Sequence, residues 1–281
     1  MPSPPSAVFL LTGIGMMAVA LVAVLYWRRR TGVAWGAFGL GALAWVVAVA
    51  LKFGWATPTN ALVRRGLVRV LPGPFAAPLF WLYIGLLTGV FECGMALLFV
   101  RRSRLKAAGW DEAMAFGIGF GAVEAFLLGL LQFVGLLAVI AFWDQVPEDA
   151  RTAIAQGPMA LGFASIPLPV AERLSALVAH VLTSVLIVYG VRVGGWLWFW
   201  LSFAYKSALD GFAAWAILAT PLMTSLSHLS AFEAAVGGFA IVGLAGLAFL
   251  HRRFRSLDDS ATVQTMESVD VRAGANSSLT T

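Results

Sequence analysis

The chain has 281 residues, of which 60% are hydrophobic and only 12% are charged, and its mean hydropathy is +0.87. This polar content is too small to cover a soluble globule, so the composition excludes an ordinary soluble domain and indicates a protein whose solvent is lipid. The formal net charge of +5 lies in short arginine clusters at the ends of apolar runs, which is typical of membrane topology signals and does not indicate a nucleic-acid-binding surface.

Seven apolar segments are long enough to cross a bilayer. About 20 mostly apolar residues span the hydrocarbon core as a helix, because lipid offers the backbone no hydrogen-bond partner. The segments lie near residues 7–27, 33–55, 78–100, 113–143, 170–192, 196–219 and 231–250. The sequence therefore predicts an all-α, polytopic transmembrane bundle of about seven helices that occupies residues 1–255.

The distribution of Lys and Arg predicts the orientation of the chain. With the N-terminus outside, the inner loops hold Arg28–Arg30, Arg101, Arg102, Arg104, Lys106, Arg192, Arg252, Arg253 and Arg255. The outer side then holds Arg64, Arg65, Arg69 and Arg151, with Lys52 at a helix end. We expect the N-terminus outside and the C-terminus inside a bacterial plasma membrane. Residues 256–281 are polar and lack aromatic side chains, which predicts a disordered cytosolic tail.

The fourth segment is unusual in its length and in its glycines. At ~1.5 Å per residue it would measure about 46 Å, against a hydrocarbon core of ~30 Å, so it is tilted, broken or extended beyond the membrane. Gly117, Gly119 and Gly121 leave a groove on this helix. Such a groove favours close helix packing over substrate access.

Ionisable side chains occur inside four of the predicted helices. A charge in the bilayer core is costly unless it is paired or hydrated, so each of them needs a partner or a function. They are Glu92 in the third segment, Glu124 in the fourth, Arg173 and His180 in the fifth, and Lys206 and Asp210 in the sixth. At ~1.5 Å per residue, all but Arg173 lie about 12 to 22 Å from the inner ends of their helices. The sequence therefore predicts one shared polar cavity within the membrane.

This set of side chains suits hydrolysis of a peptide bond. The reaction needs a water molecule, a carboxylate base that activates it and a donor for the oxyanion. Glu92 or Glu124 can be the base, and His180 can be the donor or a proton carrier. Zinc is less favoured, because His180 is the only histidine in the predicted polar slab and a hydrolytic zinc site usually has at least two histidine ligands. No cofactor is therefore predicted, and whether His180 and Glu124 hold a metal stays open.

Structural roles for some of these residues also stay open. Lys206 and Asp210 are four residues apart on one helix face, so they can neutralise each other for packing alone. Glu172 and Arg173 stand near the outer end of the fifth helix, where they can form a simple surface pair.

Four motifs follow one another between about residues 80 and 215. They read FECGMALLFVRR, WDEAMAFGIGFGAVEAFLLG, ERLSALVAHVLTSVLIVYG and AYKSALDG. This ordered set resembles the YhfC-type intramembrane proteases, which belong with the CAAX-protease and bacteriocin-processing (CPBP) group and are similar to PrsW-type proteases. The match is strongest at Glu172, Arg173, Ala176, His180 and Ser184, and at Gly117, Gly119, Glu124 and Ala125.

Three of the motifs depart from the pattern of these proteases. Cys93 follows Glu92 at the position of a second glutamate. Phe120 stands where YhfC-type members have a histidine, and Lys206 replaces the histidine expected four residues before Asp210. The active-site pattern of this chain is therefore degenerate.

The resemblance implies hydrolysis of a transmembrane or membrane-proximal peptide, by a glutamate-activated water or by a metal, in a core of about residues 78–219. It assigns Glu92 as the base, Glu124 as a second acid or orienting group, His180 as the oxyanion donor and Asp210 as a polar partner. The supporting positions are Arg173, Lys206, Cys93 and Ser184.

Two other functions fit the same residues. A relative that has lost catalysis would use the cavity to bind membrane-protein clients or lipids. A small transporter would use Lys206, Asp210 and Glu92 as a charge relay. Membrane lipids are expected partners in every case, and nucleic acid in none.

Overall fold

The computed structural model describes residues 3–157, 161–219 and 225–277, and their regular structure is entirely helical. The α-helices are α1 Leu10–Thr31, α2 Trp35–Val70, α3 Gly73–Thr88, α4 Gly94–Arg102, α5 Trp110–Ala141, α6 Glu148–Gln156, α7 Pro167–Val193, α8 Trp196–Ala219 and α9 Leu226–Ser277. The prediction of an all-α fold is confirmed.

Six of the described helical segments combine the length and the hydropathy of a membrane span. They are Ala7–Thr31, Trp35–Val70, Pro74–Arg102, Trp110–Ala141, Phe163–Val193 and Leu226–Asp259. Helix α8 has 24 residues, which is also long enough to cross, but its tryptophans, Lys206 and Asp210 lower its mean hydropathy. The prediction of a transmembrane bundle of about seven helices is therefore confirmed, while the orientation of the termini stays a prediction.

A π-helical turn interrupts the third span. Helices α3 and α4 form one rod, and the five residues Gly89–Cys93 between them adopt the wider π-helical pattern of backbone hydrogen bonds. Such a turn inserts extra backbone into an α-helix and occurs frequently at functional sites. Glu92 and Cys93 are both buried within it, so the turn directs a carboxylate into the interior of the bundle.

Several helices extend past their predicted ends. Helix α2 runs to Val70, so the end predicted near residue 55 was wrong. Pro58 removes one backbone hydrogen bond but leaves this helix unbroken, and the arginines that follow it lie on a helix instead of in a loop. Helix α9 continues to Ser277, and the disorder predicted for residues 256–281 stays a prediction.

Helix α5 packs against α1, α2 and α7. It is continuous over 32 residues, or ~48 Å, which excludes the option of a broken helix. A side chain added at Gly119 would meet the backbone of Phe38 on α2, and one added at Gly117 would meet Val181 on α7. The glycine groove is therefore filled by the backbones of neighbouring helices, as the close-packing interpretation predicted.

The variant Gly119→Ala is expected to lower the free energy of unfolding by about 1–3 kcal/mol, the usual cost of overpacking. A Cβ atom at this position would lie 2.1 Å from the carbonyl oxygen of Phe38, so α2 and α5 would have to separate. Gly135→Ala on the same helix is the matched control, because no atom of the residues that the structure describes lies within 4 Å of a Cβ there. Thermal unfolding in detergent measures both variants, and equal midpoints would contradict the need for close approach.

Candidate active site

Five helical elements direct ionisable side chains into one network. The members are Lys52 on α2, Glu92 in the π-helical turn, Glu124 on α5, Arg173 and His180 on α7, and Lys206 and Asp210 on α8. Each of these side chains forms at least one contact of 4 Å or less between a nitrogen and a carboxylate oxygen with another member of the network. The fold therefore brings together the five ionisable residues that the sequence placed in one slab, and it adds Arg173 and Lys52.

Glu124 is held at both of its carboxylate oxygens. Arg173 Nη1 donates to Oε1 at 2.5 Å, and Trp45 Nε1 donates to Oε2 at 2.8 Å. The same Oε2 lies 2.8 Å from His180 Nε2, and because an ionised carboxylate only accepts hydrogen bonds, the hydrogen of this contact belongs to Nε2. Glu124 thus fixes the orientation of the imidazole ring. The pair of Arg173 with Glu172 that the sequence allowed is present, but Arg173 is buried and also binds Glu124, so this is not a simple surface pair.

Within the described residues, Glu92 is held by a hydrogen bond at one oxygen only. Lys52 Nζ donates to Oε1 at 2.5 Å and lies 3.5 Å from Thr88 Oγ1. Oε2 has no hydrogen-bond partner in the described part of the chain, although Lys206 Nζ is 3.4 Å away. The side chain is only 4% exposed. A buried carboxylate oxygen without a hydrogen bond is a candidate for accepting a proton or contacting a ligand.

His180 faces Glu92 with its second ring nitrogen. Nδ1 is buried, lacks a hydrogen-bond partner among the described residues and lies 3.9 Å from Glu92 Oε2. The side chain is 1% exposed, and the ring of Phe120 packs against it with 5.2 Å between the ring centroids. Two buried polar atoms without hydrogen bonds therefore face each other, an arrangement that is costly unless they share a proton or a bridging group.

Lys206 lies between the other members of the network. Its Nζ is 3.3 Å from His180 Nε2, 3.4 Å from Glu92 Oε2 and 3.5 Å from Asp210 Oδ1. The ion pair with Asp210 that the sequence predicted is therefore present. The ammonium also connects α8 to α7 and to the π-helical turn, which spacing along the helix does not indicate.

The formal charges of the network balance. Its cations are Lys52, Arg173 and Lys206, and its carboxylates are Glu92, Glu124 and Asp210. A further carboxylate, Glu172, binds Arg173 and is more exposed. Charge balance matters here because an unpaired charge in a low-dielectric interior is costly.

A cavity of about 480 Å³ adjoins the network. Its polar lining includes Lys52, Asn60, Thr88, Glu92, Glu124, Arg173, Lys206 and Asp210, and its apolar lining includes Phe53, Leu87, Ile217 and Val236. The lining extends toward the end of the bundle where α2 and α8 end and where α7 and α9 begin. His180 contacts a separate crevice beside Cys93, which has no room for a water molecule. Glu92 lines both spaces, so it connects the cavity to the buried imidazole.

Cys93 and Ser184 are buried beside the network and contact other helices. Ser202 Oγ lies 3.4 Å from Cys93 Sγ and donates to the carbonyl oxygen of Thr183 at 3.1 Å. Ser184 packs against Gly117 on α5. These contacts join α8 to α7 and α5 to α7, and the supporting roles predicted for the two residues stay predictions.

Two donors of the network were not predicted from the sequence. Lys52 is predicted at a helix end, but α2 continues to Val70, so Lys52 lies within the helix and beside the cavity. A charge inside the membrane needs a partner or a function, and this argument, applied to Lys52 as it was to the other charges, would have identified it. Trp45 is one of many tryptophans, and nothing in its spacing distinguishes a donor to Glu124 from a residue of the interfacial aromatic belt.

Comparison with known proteins agrees with the four motifs. The sequence model of the family described as YhfC intramembrane metalloprotease matches residues 15–236. The chain belongs to the YhfC family. It is 26% identical over 213 residues to a relative named uncharacterized membrane protein YhfC from Bacillus subtilis (strain 168), across 68% of this chain and 78% of that protein. No solved structure matches the chain. The resemblance to the YhfC family is confirmed, and so is the prediction of an integral, multi-pass membrane protein.

The description of the YhfC family implies a bound metal ion. Whether the network could hold one depends on its donor atoms and on the cations beside them. Ligand atoms of Glu92, Glu124 and His180 lie within 4.8 Å of one another. Lys206 Nζ, however, is within 3.4 Å of both Glu92 Oε2 and His180 Nε2, and each carboxylate already pairs with another cation. A divalent ion would add two positive charges beside these ammonium and guanidinium groups. The residues as arranged therefore do not fit a metal ion.

Proposed function

We propose that this YhfC-family protein is an intramembrane peptidase in which Glu92 activates water. The observation that carries this proposal is the carboxylate of Glu92 at a membrane-embedded cavity, anchored at one oxygen by Lys52 and without a hydrogen-bond partner among the described residues at the other. A general base needs this freedom to reach the proton that it removes. The proposed substrate is a transmembrane or membrane-proximal peptide, since the cavity has apolar walls and a volume typical of ligand pockets, about 300–1,000 Å³.

In the proposed reaction, the Glu92 side chain turns so that Oε2, which is buried and faces His180 Nδ1 in the structure, meets a water molecule of the cavity. Oε2 removes a proton while the water oxygen bonds to the carbonyl carbon of the peptide, and the carbonyl π electrons move to oxygen. The tetrahedral intermediate then collapses, the C–N bond breaks, and Glu92 returns the proton to the departing nitrogen. The products are a new carboxyl terminus and a new amine terminus, and Glu92 regains its starting form.

His180 and Glu124 support Glu92 from two places: His180 lines the crevice beside Cys93, and Glu124 lines the cavity and binds the His180 ring. With Nδ1 at 3.9 Å from Oε2, the imidazole can share the proton that Glu92 holds during the reaction. Glu124 keeps the ring in this orientation, and Arg173 and Trp45 keep Glu124 in place. Of the two roles that the resemblance implies for Glu124, we propose that of an orienting group.

Lys52 is the proposed donor to the oxyanion. Its side chain is 21% exposed and lines the cavity, whereas the Nε2 hydrogen of His180 is bound to Glu124. An ammonium aimed at developing negative charge stabilises it more strongly in a dry site than in water. His180 as the oxyanion donor, the role that the resemblance implies, would require the ring to leave Glu124.

The variant Lys52→Met is expected to lower kcat by about 10²–10³-fold, the usual effect of removing one oxyanion donor, with a smaller change in KM. Lys52→Arg should recover part of the rate because the positive charge is retained. Lys106→Met is the matched control, since Lys106 is exposed after α4. Both constants are measured on one cleaved peptide, and a variant that changes only KM would contradict this role.

Cleavage of a panel of membrane-spanning peptides by the purified protein in lipid tests the proposed function. Mass spectrometry should identify one new carboxyl terminus and one new amine terminus, and cleavage should persist in EDTA. Folded wild-type protein that cleaves no peptide would overturn the proposal and favour a relative that binds clients or lipids. Solute or proton flux that depends on Lys206 and Asp210 would favour a transporter.

A further inference from the structure

We propose that the ammonium of Lys206 is the resident cation of this site and takes the place that a metal ion would occupy. The chain in its native form therefore does not bind zinc there, and replacing Lys206 creates a zinc site. This inference rests on the donor atoms around Lys206, and its measurement does not depend on whether the protein cleaves peptides.

The donors that a metal would need surround Lys206 Nζ. They belong to the π-helical turn, α7 and α8, at 3.4 Å for Glu92 Oε2, 3.3 Å for His180 Nε2 and 3.5 Å for Asp210 Oδ1. His180 Nε2 donates its hydrogen to Glu124 in the native arrangement, so a metal ion would have to displace that proton as well as the ammonium. Zinc binds carboxylate oxygen and imidazole nitrogen at about 2.0–2.2 Å, and therefore draws its ligands closer together than an ammonium does. The wider spacing suits an ammonium, and Nζ blocks the point where these donors converge.

Backbone packing keeps Lys206 in this position. Helix α8 approaches the third span through glycines, where a Cβ added at Gly85 would lie 2.2 Å from Ser207 O and one added at Gly89 would lie 2.4 Å from Ser207 Oγ. The side chain of Lys206 is 6% exposed. The position of α8 therefore holds the cation between the donors, at the edge of the cavity that Lys206 also lines.

Charge favours the same conclusion. Lys206 completes a set of cations that matches the carboxylates Glu92, Glu124 and Asp210 in number. A divalent ion beside Lys206 would leave an excess of two positive charges among these residues, or of one if the more exposed Glu172 beside Arg173 is counted, and uncompensated charge in the interior of the bundle is costly. The native network is thus electrically complete with the ammonium in place.

The variant Lys206→His is expected to bind zinc. The substitution removes the ammonium and adds an imidazole, which is a common zinc ligand. A histidine side chain plus one zinc–nitrogen bond of about 2.0–2.1 Å would place the zinc roughly as far from the backbone as a lysine side chain places its ammonium. With Glu92 and His180 it would supply two histidines and one carboxylate, a ligand set found in hydrolytic zinc sites, and Asp210 lies one turn away on the same helix.

The zinc content per chain tests the inference. Each protein is equilibrated with zinc, the loosely bound fraction is removed, and the remaining metal is measured by mass spectrometry. The wild type should retain no more zinc than His180→Ala. Lys206→His should retain one zinc per chain and should lose it when combined with His180→Ala. Cobalt in place of zinc should give the visible absorption of a four-coordinate site in Lys206→His alone.

Two outcomes would overturn the inference. One is a wild type that retains one zinc per chain and loses it in His180→Ala, and the other is a folded Lys206→His that retains none. If the histidine variant does not fold, Lys206→Met removes the ammonium without adding a ligand and should bind zinc more tightly than the wild type; equal affinities would overturn the inference. Because metal content is measured without substrate, these outcomes are separate from the failure of peptide cleavage.

Discussion

The variant Glu92→Gln is expected to lose about 10²–10⁴-fold in the rate of peptide cleavage while keeping its fold. The amide is similar in shape to the carboxylate and still accepts a hydrogen bond from Lys52, but it cannot remove a proton from water. Oε2 makes no hydrogen bond in the described structure, so the substitution removes a base and leaves most contacts in place. The measurement is kcat/KM on one peptide, in the same lipid as the wild type.

Two further variants make this result interpretable. Glu148→Gln, on the exposed helix α6, carries the same chemical change away from the network and should cleave at the wild-type rate. Glu92→Asp retains a carboxylate at a shorter reach and should fall between the wild type and Glu92→Gln. Unaltered cleavage by Glu92→Gln would exclude Glu92 as the base and point to Glu124. Thermal unfolding is measured on each variant, because Gln leaves Lys52 with a neutral partner.

The membrane-spanning helices were predictable because lipid imposes its demand on each segment separately. Helix α8 matches the predicted range 196–219, and α7 lies within a few residues of its predicted range. The errors occur where helices leave the apolar run, as in the extension of α2 to Val70 and in α6, which no apolar run marks. Hydropathy gives no signal there, because water can satisfy the backbone of a loop or of an exposed helix.

The convergence of the ionisable residues was also predictable, because helix rise converts sequence position into depth. Which groups pair with one another was not. The spacing of Lys206 indicated Asp210 alone, whereas its ammonium also reaches Glu92 and His180 on neighbouring elements. These contacts depend on the rotation of each helix about its axis. The π-helical turn at Gly89–Cys93 changes that rotation, and no residue pattern in the sequence predicts the turn.

The variant Arg173→Met is expected to lower the free energy of unfolding by about 3–5 kcal/mol, the usual cost of removing one partner of a buried ion pair. Arg173 Nη1 holds Glu124 Oε1 at 2.5 Å, and neither side chain is more than 16% exposed. Arg192→Met is the matched control. Its partner Asp258 is 54% exposed, so we expect a loss of about 0–1 kcal/mol. Denaturant unfolding in mixed micelles measures both, and equal losses would contradict a buried role for Arg173.

A double-mutant cycle with Glu124→Gln separates this ion pair from the other contacts of Arg173. If the pair carries the stability, Arg173→Met should cost less in the Glu124→Gln background, with a coupling energy of about 0.5–3 kcal/mol. Equal costs in both backgrounds would assign the loss to Glu172, the second carboxylate that binds Arg173. A large coupling would have a consequence for the site, because Glu124 also holds His180 Nε2. Loss of Arg173 would then loosen the imidazole ring whose Nδ1 faces Glu92, and it would slow cleavage in the fraction of protein that remains folded.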